Sequence, residues 1–158
     1  MYNTTIKNSV QGTSSTCDIV AGIAACVRSA TIKDCTVDEC IIYGKEVANA
    51  TGMIGTYIGG DKLAIAKNCK VTNTEITSEQ ESAKSSSNST AAGMFGRVNN
   101  QTLDMSDCLV ENCTITGRGS VVSGVAANGQ TCIANNISVK NITLNSLPVF
   151  LGSSANKL

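Results

Sequence analysis

Cys35-Thr36-Val37-Asp38-Glu39-Cys40-Ile41-Ile42 returns three times along the chain without a gap. The other copies are Cys69-Lys70-Val71-Thr72-Asn73-Thr74-Glu75-Ile76, Cys108-Leu109-Val110-Glu111-Asn112-Cys113-Thr114-Ile115 and Ile137-Ser138-Val139-Lys140-Asn141-Ile142-Thr143-Leu144. Apolar positions fall at 1, 3, 6 and 8 of the block. Alternation with period two marks a strand with one buried face, and the extra residue between the two pairs requires a bend. No helical stripe at i, i+3, i+4, i+7 persists over a useful length.

A second motif precedes each block. Gly22-Ile23-Ala24-Ala25, Gly52-Met53-Ile54-Gly55, Gly93-Met94-Phe95-Gly96 and Gly124-Val125-Ala126-Ala127 open four units, their first glycines 30, 41 and 31 residues apart. Short strands with frequent corners, repeating about every thirty residues, describe a parallel β-helix, each unit one coil paired with the next. The expectation is an all-β, right-handed parallel β-helix (β-solenoid) of about four to five coils, one domain over 1–158, with a core ~20–25 Å long. Its columns would hold Cys35, Cys69, Cys108 and Ile137; Val37, Val71, Val110 and Val139; and Ile6, Ile42, Ile76, Ile115 and Leu144. Asn3-Thr4-Thr5-Ile6 is matched to the last four block positions, and Pro148-Val149-Phe150-Leu151 resembles the start of another unit.

Asp34, Asn68, Asp107 and Asn136 precede the first column and read as a corner ladder, since Asn and Asp tolerate left-handed backbone. The glycine column reads as a bend where a side chain would obstruct the next coil. Residues 78–90, rich in Ser, explain the 41-residue spacing as a looped-out, low-complexity insertion.

The paired-glycine openings Gly52-Met53-Ile54-Gly55 and Gly93-Met94-Phe95-Gly96, each followed by an Asn/Asp-Cys-x-Val block, resemble the GLUG-type repeats of bacterial surface proteins. More loosely, the chain is similar to the pectin-lyase-like β-helix superfamily. The resemblance covers about residues 17–152, with Ala25 and Ala127 standing where the second glycine would be. It implies a surface-protein β-helix of adhesive or structural use.

Composition bounds the function. The chain has 158 residues, 12 basic and 12 acidic side chains, no His and no Trp. Without a basic cluster, nucleic-acid binding is not expected. The longest nearly apolar run, Ile19 to Val27, is half a membrane span, so no insertion is expected. Met1 to Thr5 lacks the regions of a secretory signal, which fits a mature chain, a fragment or a cytosolic protein. Without His the common nucleophilic triads are absent. Asp34/Asp38 and Asp104/Asp107 could be imagined as paired carboxylates, but read as turn and surface residues. No catalytic residue, cofactor or metal is expected.

Eight cysteines stand at 17, 26, 35, 40, 69, 108, 113 and 132. Cys35, Cys69 and Cys108 read either as disulfides between neighbouring coils, in an oxidising compartment, or as a stack of reduced thiols packed as small apolar residues. Seven Asn-x-Ser/Thr sequons occur. Asn3, Asn49, Asn88, Asn100, Asn112 and Asn141 are the candidate glycan acceptors, with Asn136 set aside as a corner-ladder residue. Asn3, Asn112 and Asn141 are read as one outward corner, shared with Glu39 and Asn73.

The leading expectation is a structural or adhesive extracellular rod, a spacer or filament subunit. Its partners would be copies of itself or flanking repeats stacked end to end, because no capping element covers the first and last coils. The alternatives are a module binding carbohydrate or a host protein through the 78–90 insertion, and, last, a carbohydrate-active enzyme.

Overall fold

The computed structural model describes residues 1–7, 9–13, 17–28, 31–45, 47–58, 63–79, 90–118 and 121–147. Regular structure among them is all strand. In chain order, β1 (Thr5–Lys7), β2 (Val10–Thr13), β3 (Cys17–Ala21), β4 (Ala24–Arg28) and β5 (Thr31–Lys33) come first. The same succession returns as β6 (Thr36–Asp38), β7 (Ile41–Lys45), β8 (Val47–Thr51), β9 (Ile54–Ile58) and β10 (Ala64–Lys67). It returns again as β11 (Lys70–Thr72), β12 (Glu75–Glu79), β13 (Thr90–Ala92) and the long β14 (Phe95–Ser106). Then follow β15 (Leu109–Glu111), β16 (Thr114–Arg118), β17 (Val121–Ser123) and β18 (Ala126–Asn135), with β19 (Ser138–Lys140) and β20 (Thr143–Leu147) last.

Each strand pairs in parallel with its counterpart one pass away. The resulting sheets run β1-β6-β11-β15-β19, β2-β7-β12-β16-β20 and β3-β8-β13-β17, and a fourth carries β4-β9 and β5-β10 alongside β14 and β18. The fold is thus all-β with parallel sheets, the arrangement of a β-helix or solenoid. Register keeps like residues together: Val37, Val71, Val110 and Val139 lie opposite one another, as do Ile42, Ile76, Ile115 and Leu144. Block positions 1, 3, 6 and 8 are buried in all three blocks between Cys35 and Ile115.

One column assignment is corrected. Ile6 lies opposite Val37, and Gln11 takes the place opposite Ile42. Asn3-Thr4-Thr5-Ile6 therefore belongs to the first half of the block. The halves share one pattern, a corner residue followed by a small side chain and an apolar one two further on, and four residues cannot distinguish them. The insertion is corrected at its ends too, because Ser78, Glu79 and Thr90 belong to strands. Residues 80–89 lie outside the described residues.

Corners explain the block. Both of its bends use left-handed backbone: φ is 55° at Asp34, 50° at Asn68, 56° at Asp107 and 53° at Asn136, and again 53° at Glu39, 50° at Asn73, 54° at Asn112 and 50° at Asn141. Asn and Asp accept this conformation better than other L-residues. Their side chains also join neighbouring passes. Asn68 Nδ2 donates to Asp34 Oδ1 at 2.7 Å and Asn136 Nδ2 to Asp107 Oδ1 at 2.8 Å. On the second corner Asn112 donates to Asn73 at 3.1 Å and Asn141 to Asn112 at 2.7 Å.

The glycine column has a different cause. A Cβ at Gly22 would run into the Gly52 carbonyl, one at Gly52 into that of Gly93, and one at Gly93 into that of Gly124. The backbone of the next pass occupies the space of the side chain.

Candidate functional site

The cysteines that sequence singled out are held as thiols. Cys35, Cys69 and Cys108 form a buried file of free cysteines, and Cys40 and Cys113 belong to a second. No cysteine pair among the described residues stands at disulfide distance, which corrects the disulfide alternative. The side chains are committed elsewhere. Each Sγ–H donates to the carbonyl two residues back: Cys35 to Lys33 (3.2 Å), Cys40 to Asp38 (3.2 Å), Cys69 to Lys67, Cys108 to Ser106 and Cys113 to Glu111 (each 3.3 Å).

Thr74, in the file of Cys40 and Cys113, does the same through its hydroxyl at 2.7 Å, and Thr4 reaches Tyr2 at 3.3 Å. The carbonyl before each left-handed corner thus gains a side-chain donor beside the corner N–H of the preceding pass, as Lys33 accepts from Asn3, Lys67 from Asp34 and Ser106 from Asn68. The Cys69 thiol is pushed well above its ordinary range, first by the neighbouring Cys108 thiol and then by burial. Burial also raises the Cys113 thiol. These are neutral core groups, far from the exposed thiolate that reactivity requires.

The sequon asparagines fall in three settings. Asn112 and Asn141 are exposed corner residues, and their amides make the ladder bonds given above. A glycan on Nδ2 would leave one amide hydrogen for that bond. Asn3 is exposed, with φ 47°, but its N–H reaches the Lys33 carbonyl. That places it in the file of Asp34, which corrects its grouping with Asn112 and Asn141. Asn49 is only 6% exposed, donating to Thr56 at 3.4 Å and accepting from Thr90 at 2.5 Å. A glycan there is incompatible with this packing. Asn88 and the side chain of Asn100 lie outside the described residues.

Of the acidic pairs, Asp34, Asp38 and Asp107 are held at the corners, while Asp104 lies within β14. Asp34 and Asp107 accept the ladder bonds of Asn68 and Asn136, and Asp38 accepts from Thr72 at 2.6 Å and Asn73 at 2.9 Å while pairing with Lys7 at 3.1 Å. Glu39 joins Lys7 at 3.6 Å. Among the described residues no three Cys, Asp or Glu side chains gather where a metal ion could sit.

The surface that remains is the edge made by β17, β18, β19 and β20. Among the described residues no further pass lies on it, and Pro148–Leu151, read above as the start of another unit, lie outside them. Val139 and Leu144 are 48% and 50% exposed, although their counterparts Val110 and Ile115 are fully buried. A concavity of about 520 Å³ opens at this end, lined by Met105, Val125, Ala126, Ile137, Val139 and Leu144 among others. The sequence reading expected the ends of the stack to be uncapped but did not single out these lining residues. Their signal was Ile137 and Ile142 standing where earlier blocks place a thiol or hydroxyl.

No protein-family model, curated protein or solved structure matches this chain.

Proposed function

We propose that the chain is a right-handed parallel β-helix of about four to five coils, working outside the cell as a structural or adhesive element, a rigid spacer or filament subunit of a surface protein. The observation that carries this reading is the register of the valine file from Ile6 to Val139 and of the isoleucine file from Ile42 to Leu144 across neighbouring passes. Bending such a body strains its parallel sheets together, so stiffness comes with the fold.

The sparsely charged, Asn- and Thr-rich surface and the exposed corner residues Asn3, Asn112 and Asn141, each open to a glycan, suit an extracellular setting. The GLUG-like glycine openings support the same assignment to surface proteins. Protease treatment of intact source cells tests it. The reading expects the protein to be trimmed from the surface before lysis. Full protection until lysis overturns it.

A further inference from the structure

We propose that the open edge of β17–β20 docks onto the opposite edge, Met1–Asn3 with β1–β4, of a second copy of this chain, head to tail. This rests on the structural reading above and names its partner.

Hydrogen-bond series run through the stack and stop at this edge. The Gly22 N–H donates to the Thr51 carbonyl at 3.2 Å, that of Gly52 to Ala92 and that of Gly93 to Ser123, each at 3.1 Å. A corner series runs from Asp34 to Lys67 and from Asn68 to Ser106, both 3.0 Å, and from Asp107 to Asn135 at 3.1 Å. Among the described residues no carbonyl continues these series past Gly124 or Asn136. The Met94 N–H reaches the Val125 carbonyl at 2.9 Å, whereas the Val125 N–H turns back to the Ser123 hydroxyl at 3.4 Å. Unpaired strand edges of this kind are templates for another chain.

A single added strand cannot cover four, so the occupant is a whole pass. The N-terminal edge supplies one with matching residues. Extending the internal register by one step sets Val20 against Val122, Gly22 against Gly124, Ala24 against Ala126, Ile6 against Val139 and Asn3 against Asn136. Gly22 and Asn3 repeat residue types of their interior files, Ile6 stands where the interior has valine, and the Val20/Val122 and Ala24/Ala126 pairs exchange bulk with interiors of Ala50 and Ala91 and of Ile54 and Phe95. Asn3 Nδ2 would then extend the ladder onto Asn136 Oδ1. Gly124 carries a further mark. Within the chain a Cβ there meets only Val139 Cγ1, at 3.3 Å, so the carbonyl that excludes side chains at Gly22, Gly52 and Gly93 is missing. The Gly22 carbonyl of a second copy would supply it. Two files fit poorly, since Lys140 would face Lys7 and Leu144 would face Gln11.

Sedimentation velocity of the purified chain, from micromolar to near-millimolar concentration, tests this. The expected result is concentration-dependent end-to-end association. Gly124→Ala should preserve the circular dichroism spectrum and the melting of the monomer, yet weaken association by at least about tenfold. Lys140→Glu, which sets a carboxylate against Lys7, should strengthen association, most at low salt. A chain monomeric at every concentration overturns the proposal, as does unchanged association in either variant. Monomeric behaviour would leave the surface-spacer reading standing, because that reading fails only if intact cells protect the protein.

Discussion

Val110 and Val139 occupy one file on adjacent strands, yet one is fully buried and the other 48% exposed. Among the described residues, the passes between Thr31 and Gly117 have a neighbour on each side, and that from Val121 to Leu147 has one. What differs is position, since the residue types are the same. In a stacked fold each pass owes its burial to its neighbours, so the same side chain is core in one pass and surface in the next.

Substitutions in matched pairs can break or sharpen this contrast. Glycine gives the largest effect. Gly52→Ala drives a methyl group into the Gly93 carbonyl and should cost more than about 4 kcal/mol, enough to unfold the chain. Gly124→Ala should cost less than about 1 kcal/mol. Urea unfolding followed by circular dichroism compares the two, and equal losses would remove the distinction. Next is the isoleucine file. Ile76→Ala, at a fully buried site, should lose about 2–5 kcal/mol, and Leu144→Ala under about 1 kcal/mol in the monomer.

Cysteine separates packing from hydrogen bonding. Cys69→Ala removes one of two donors to the Lys67 carbonyl, which keeps the Asp34 N–H, and should cost about 0.5–1.5 kcal/mol. Cys69→Thr should recover much of that, because Thr74 already performs the task. The smallest effect involves Asp38. The Thr72 hydroxyl, with Asn73 and Lys7 and against the opposing cost of burial, holds its carboxyl below the usual carboxylate range. A depressed folded value means stability present above the ordinary pKa and lost as pH falls through the folded one. Asp38→Asn should therefore lose at most about 1 kcal/mol at neutral pH, and its stability should converge on that of the unaltered chain in acid.

The repeating block made the parallel all-β stack legible, because period-two alternation with one extra residue admits few other shapes. The glycine column was legible for the same reason, as the same residue recurred where backbones meet. Asn3-Thr4-Thr5-Ile6 was misassigned because the two corners of a pass obey one local rule, and only pairing with Asp34 to Val37 tells them apart. Cysteine was ambiguous for a related reason: a spacing of one strand suits a disulfide and a file of donors equally. The choice lay with the carbonyls at Lys33, Lys67 and Ser106, each within reach of the thiol two residues on, which no residue pattern displays. Asn49 fits the acceptor motif, but its burial depends on Thr56 and on Thr90, 41 positions later.

The thiol files bear on how such a molecule can be made. Because Cys35, Cys69 and Cys108 serve as proton donors to backbone oxygen, no covalent cross-link has to form before the windings lock together. Reducing agents should leave melting unchanged, and secretion would not have to wait on an oxidoreductase. Harsh oxidation would be the damaging event, since a sulfinic acid group has no room inside a file of stacked side chains.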